Sequence, residues 1–149
     1  VIMRIDHIGL VTADPAGVGR YLGALGMRAT GGGVAGDYGV SCEFWQHPGA
    51  APAVEVVAPV RDGSAVTDYL ARKGSGLYHI AFEVDDIEFE LSRLKECGFV
   101  AVDRQPCAGA RPGMQVAFMY AGKPAGLLIE LVRYSAVTQS DPIDGGRPP

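Results

Sequence analysis

Residues 5–27 read IDHIGLVTADPAGVGRYLGALGM and residues 77–99 read LYHIAFEVDDIEFELSRLKECGF. At an offset of 72 positions they match without a gap: His7 falls on His79, Ile8 on Ile80, Leu10 on Phe82, Asp14 on Asp86, Leu22 on Leu94 and Gly26 on Gly98. One histidine match is within chance; the whole frame is a tandem duplication. Each copy opens with the two-residue period of a half-buried strand. An aspartate at the N-cap position follows, with Pro15 at the first helical position of the first copy. Ile87, Leu91 and Leu94 have the apolar spacing of a helix, and Gly98 stands where a left-handed C-terminal glycine belongs. Gly17, Gly19 and Gly23 interrupt the first copy, which predicts a weaker helix there.

Working outward, three strand-like runs follow each helix: 28–32, 38–46 and 53–59 in the first copy, then 99–103, 114–120 and 127–134 in the second. Between the copies, DGSAVTDYLARKGSG (62–76) reads as a short helix closed by Gly74. The expected organisation is a first βαβββ module over 1–60, a linker helix within 61–76, a second module over 77–134 and a flexible tail over 135–149. That tail, SAVTQSDPIDGGRPP, has no periodicity and is rich in Pro and Gly.

Bulk properties narrow the function classes. The 149 residues suit one compact domain or two half-size modules sharing a core. At 48% hydrophobic and 20% charged, the chain is of globular composition. A net charge of -4 without any Lys/Arg block argues against a nucleic-acid partner. No apolar run reaches the roughly 18 residues of a membrane span. Three cysteines without a CxxC pair fit a reducing cytoplasm rather than a disulfide framework. Cys97 and Cys107 read as small apolar filler; for Cys42, filler and functional thiol both stand.

Strand alternation sets His7 and His79 on the face turned away from the helices, with Asp6, Ile8 and Leu10 on the opposite face. The small Gly9 and Ala81, two positions beyond each histidine, are expected to leave room for a bound group. Glu55 follows His7 by 48 residues and Glu130 follows His79 by 51, so each copy's last strand carries one glutamate in an apolar run. Such a carboxylate is costly to bury unless it is paired or holds a cation. A single strand histidine is usually a hydrogen-bonded core residue. Four residues paired by duplication would instead converge if two like sheets closed around a pseudo-twofold axis. Two imidazoles and two carboxylates suit a divalent metal with open positions: cobalt, nickel, manganese, zinc or iron.

DHIGL (6–10), VEVVAPVRDGSAVTDYLARKGSGLYHIAFEVDDIE (54–88) and GLLIELVRY (126–134) are similar to the vicinal oxygen chelate superfamily, which includes glyoxalase I, extradiol dioxygenases and antibiotic-resistance proteins. Within it they most resemble the methylmalonyl-CoA epimerases, from about Arg4 to Tyr134. The resemblance implies an α+β fold in which tandem βαβββ modules form a U-shaped, cupped mixed sheet around a metal held by His7, Glu55, His79 and Glu130. It implies an isomerase that moves a proton alpha to a thioester carbonyl through a metal-stabilised enolate, with a carboxylate such as Glu130 carrying the proton. The implied partner is a small acyl-CoA or carrier-bound thioester, and homodimers are common among similar proteins.

Epimerisation requires a second acid/base on the other face of the substrate. Where the epimerases carry an acidic residue, this chain has Cys42, with Glu43 next to it. Three readings stand: Glu43 reached through a bulge, Cys42 in place of the acid, or one base missing. Trp45 and the run Tyr120-Ala121-Gly122 also depart from the resemblance at positions expected to line the cup. They keep alternatives open, namely a lyase, cyclase or oxygenase on the same scaffold, or a non-catalytic small-molecule-binding protein.

Overall fold

The computed structural model describes residues 1–49 and 52–135. The first copy runs β1 (Ile2–Val11), α1 (Pro15–Ala24), β2 (Arg28–Ala35), β3 (Val40–Gln46) and β4 (Ala53–Pro59). A connecting helix α2 (Thr67–Lys73) leads to the second: β5 (Gly76–Val84), α3 (Ile87–Glu96), β6 (Val100–Ala101), β7 (Cys107–Ala108), β8 (Met114–Ala121) and β9 (Leu127–Tyr134). Gly74 closes α2 at φ 72°. Of the expected tail, all but Ser135 lies outside the described residues.

The duplication is visible in local chemistry. Asp14 and Asp86 cap their helices alike, accepting hydrogen bonds from Gly17 N and Phe89 N at 2.9 Å each. Gly26 and Gly98 end them with φ of 83° and 91°. The glycine-rich α1 runs for ten residues, as α3 does. One glycine there is required by packing: a Cβ on Gly19 would lie 2.8 Å from the Trp45 ring. Cys97, expected as filler, is instead exposed at the end of α3.

The copies differ at one edge. Where the first has the single strand β2, the second has two fragments, β6 and β7, both paired with β8. Val102 N and Asp103 N both donate to Phe118 O, at 2.9 and 3.1 Å, while Phe118 N donates to the Asp103 carboxylate at 2.8 Å. The aspartate side chain thereby takes a ladder position that a backbone carbonyl would otherwise fill. Pro106 follows with no N–H to give. The run expected over 99–103 therefore shrinks to two residues, and β7 lies outside the three runs expected for the second copy.

The nine strands of the described residues form one mixed, open sheet in the order β2-β3-β4-β1-β5-β9-β8-β6, with β7 also on β8. Each copy pairs its first and last strands in parallel, β1 with β4 and β5 with β9; the copies join where β1 and β5 run antiparallel. The outer strands belong to opposite ends of this order, yet they meet. Tyr38 Oη donates to Asp103 at 2.7 Å, and a Cβ on Gly33 would lie 2.3 Å from Ala110 O. The sheet is thus curled into a cup. Val11, Val40, Phe44, Val57, Met114 and Val116 share its concave core. On the convex side Ile87, Leu91 and Leu94 of α3 pack on Met119, Ile129 and Leu131. Burying side chains such as Met119 and Leu131 completely stabilises the fold by about 1.5–3 kcal/mol each. Among the described residues no helix is long and apolar enough to cross a membrane.

Candidate metal centre

The central strand pair builds the site. His7 of β1 lies opposite Ala81 of β5, and Gly9 lies opposite His79. Each histidine therefore faces the small residue of the other copy. A Cβ on Gly9 would stand 2.1 Å from His79 Cε1 and 2.5 Å from its Nε2. The space expected beside Gly9 for a bound group is filled by the second imidazole. The flanking strands add the carboxylates in matching register, Glu55 beside Gly9 and Glu130 beside Ala81.

All four residues are buried, and their donor atoms lie within 4.8 Å of one another. His7 Nε2 is 3.2 Å from His79 Nε2, 3.2 Å from Glu55 Oε2 and 2.9 Å from Glu130 Oε2. His79 Nε2 is 3.2 Å from Glu55 Oε2 and 3.3 Å from Glu130 Oε2. Donors about 2.0–2.2 Å from one cation would be separated by about 3.0–3.4 Å at neighbouring positions. Glu130 Oε2 has no hydrogen-bonding partner of correct geometry despite its burial, as expected of an atom aimed at an ion. The donor set fits a divalent cation bound by nitrogen and oxygen.

Without such an ion, the carboxylates hold protons on the imidazoles. Burial alone would lower the His7 pKa, but the close carboxylates of Asp6, Glu130 and Glu55 outweigh it and raise it to about 11. Burial likewise opposes charging of His79, and the same two glutamates raise it to about 9. Burial works against the Glu55 carboxylate too, yet the two imidazoles hold its pKa well below the usual range.

Three features here were missed from sequence. Phe44 pairs with Glu55 and Phe118 with Glu130, and each ring meets the nearby histidine edge-on, Phe44 with His7 at 5.3 Å and Phe118 with His79 at 5.2 Å. Their signal was available: each phenylalanine precedes its glutamate by 11 or 12 residues. The third is Asp6, expected on the opposite face from His7. The β1–β5 register shifts between Ile5 and His7, and this irregularity breaks the alternation. Asp6 is buried, with Oδ2 2.8 Å from His7 Nδ1.

Two of the donors, Glu55 and Glu130, line a cavity of about 210 Å³ with mostly apolar walls, shared with Cys42, Tyr38, Tyr78 and Asp103 among others. Cys42 is buried and faces this cavity. Burial first, and then the Glu55 charge, push its thiol pKa upward. Glu43 points the other way, exposed and bonded to Trp45 Nε1 at 2.9 Å. The β3–β4 register is continuous from Val40 to Trp45, so no bulge on that side turns Glu43 inward. Trp45 and Tyr120, both expected to line the cup, do not: Trp45 packs on Gly19 of α1, and Tyr120 is 42% exposed, outside the cavity wall.

A curled sheet of duplicated βαβββ units with a buried two-histidine, two-glutamate cluster on its central strands defines a class. The Glyoxalase/Bleomycin resistance protein/Dioxygenase superfamily matches residues 6–118, and the chain belongs to it. Among its relatives, the chain is 31% identical over 134 residues to the ethylmalonyl-CoA/methylmalonyl-CoA epimerase of Cereibacter sphaeroides, covering 88% of this chain and 98% of that protein. Methylmalonyl-CoA epimerase from Mycobacterium tuberculosis has a similar structure, with a TM-score of 0.80, 26% identity, and coverage of 90% of this chain and 89% of that one. A Streptomyces coelicolor methylmalonyl-CoA epimerase in complex with 2-nitronate-propionyl-CoA superposes with a TM-score of 0.79 at 29% identity, covering 91% and 97%. These relatives are isomerases.

Proposed function

We propose that this chain is a metal-dependent epimerase acting on the carbon alpha to a thioester carbonyl, with a methylmalonyl-CoA-type acyl-CoA as substrate. The observation that carries the reading is the convergence of His7, Glu55, His79 and Glu130, whose two glutamates line a mostly apolar cavity. The similarity to epimerases over most of both chains supports the substrate class.

In this reading the four side chains hold one divalent cation, whose chemistry when bound is Lewis-acid stabilisation of the charge that develops on the thioester oxygen. The apolar walls, including Val40, Val57, Met114 and Val116, keep water from that charge. Glu130 takes the α-proton: the C–H bond breaks, the proton passes to a carboxylate oxygen, and the electron pair moves into the carbonyl to give an enolate. Cys42, protonated at rest, returns a proton from the opposite face as its S–H bond breaks, and solvent then carries the proton from Glu130 back to the thiolate to reset the site. The reverse reaction exchanges the two roles. Glu43, exposed on the convex face, takes no part.

The test is deuterium uptake from solvent into (2R)- and (2S)-methylmalonyl-CoA by metal-loaded protein. Exchange is expected with the wild type and not with Glu130→Gln. In Cys42→Ala, exchange into one epimer is expected to persist while inversion falls at least tenfold. Wild-type exchange no faster than with Glu130→Gln would refute the epimerase reading.

A further inference from the structure

The two histidines are not equivalent, and the difference lies behind them. His7 Nδ1 contacts Asp6 Oδ2 at 2.8 Å. Tyr134 Oη donates to the same oxygen at 2.9 Å, and Arg111 Nη1 donates to Tyr134 Oη at 3.0 Å. The same arginine lies over the Phe44 ring, 3.5 Å from guanidinium carbon to ring centre, and Phe44 packs edge-on against His7. Arg111 stands in the β7–β8 connection and Tyr134 ends β9, so a chain of contacts from the second copy braces the first copy's histidine. The duplication offers no counterpart. Tyr78 occupies the place of Asp6, and His79 Nδ1 is buried without a hydrogen-bond partner.

We infer that Asp6, Tyr134 and Arg111 are positioning residues that lock His7 as the fixed imidazole of the site, while His79 has no such partner at its Nδ1. This rests on the four donors being a metal centre. An imidazole that donates its Nδ1–H to a carboxylate is fixed in tautomer and ring plane, so its Nε2 lone pair stays on the cation. Arg4 Nη2, 3.2 Å from Asp6 Oδ1, balances the aspartate's charge, while Tyr134, held by Arg111, stops its carboxylate from turning away. His79, wedged against Gly9 and Phe118, has its position set by contact but no partner that selects its tautomer.

The experiment measures cobalt(II) affinity by chelator competition, together with thermal stability. Asp6→Asn is expected to weaken cobalt binding by about 10- to 100-fold, and Tyr134→Phe by a smaller factor. In zinc-loaded protein, a single hydrogen-bonded imidazole Nδ1–H proton resonance from His7 is expected, lost or shifted in Asp6→Asn. His7→Ala serves as the reference and is expected to abolish tight cobalt binding. If His7→Ala binds cobalt as the wild type does, the metal-centre reading itself fails. If His7→Ala abolishes binding while Asp6→Asn and Tyr134→Phe keep wild-type affinity and change only the melting temperature, the positioning role alone is overturned.

Discussion

Replacing Gly9 with alanine tests how the two copies share the space at the site. The added Cβ would lie 2.1 Å from His79 Cε1, 2.3 Å from Nδ1 and 2.5 Å from Nε2. Ordinary contact begins near 3.4 Å, so the ring must retreat by more than 1 Å or the strands must part. Metal–ligand distances tolerate only about 0.2 Å, so a ring displaced this far is no longer a ligand. Overpacking adds an expected destabilisation of about 1–3 kcal/mol. Isothermal titration with zinc or cobalt is expected to show affinity down by at least about 100-fold, a loss of about 2.8 kcal/mol at 1.4 kcal/mol per factor of ten. Gly23→Ala is the control: nothing lies within 4 Å of its Cβ position on the exposed side of α1. It is expected to leave metal affinity unchanged and to stabilise the helix by about 0.5–1 kcal/mol. Metal affinity in Gly9→Ala equal to that of the wild type would refute the packing of His79 described above.

Metal uptake is expected to release about two protons at pH 7, because the metal-free imidazoles have pKa values raised to about 11 and about 9. Apparent affinity then rises with pH, by about tenfold per unit for each proton displaced; titration in buffers of different ionisation enthalpy measures the count, and zero protons would contradict it. The sign for the metal-free fold is opposite. Stability from the raised histidine pKa values is complete below about pH 6.5 and is lost as pH rises toward 9 and beyond, so the melting temperature without metal is expected to fall over that interval. Glu43→Gln is expected to keep α-proton exchange within about twofold of wild type, since its carboxylate is exposed on the convex side; a loss of tenfold or more would return it to the chemistry. Asp14→Ala and Asp86→Ala are each expected to cost about 1 kcal/mol in urea unfolding, the matching value reflecting matching caps.

Much of this protein was readable from the repeated frame. The offset that aligns His7 with His79 also fixes both helix caps, and the two glutamates follow because each copy must end its module on an inner strand. Period-two reasoning failed where the period itself is broken. The register shift near Asp6 brings adjacent residues to one site, and no alternation rule anticipates that. Gly9 was read as a vacancy because small residues imply space, but its cross-strand partner depends on β1–β5 pairing, which sequence spacing alone does not give. The Glu43 and Cys42 ambiguity was one of parity. The unbroken β3–β4 ladder resolves its geometry: Cys42 and Phe44 point inward, Glu43 and Trp45 outward. The bracing of His7 by Arg111 was hidden because it joins residues 104 positions apart through the curl of the sheet.

The most direct test of the central claim is the metal content of protein purified without added metal, with X-ray absorption at the edge of whatever ion is found. One divalent ion per chain is predicted, coordinated by two imidazoles and carboxylate oxygen at about 2.0–2.2 Å, and lost in a His7→Ala/His79→Ala double variant. A chain without stoichiometric metal that also takes up none from solution, or an ion retained by the double variant, would contradict the account.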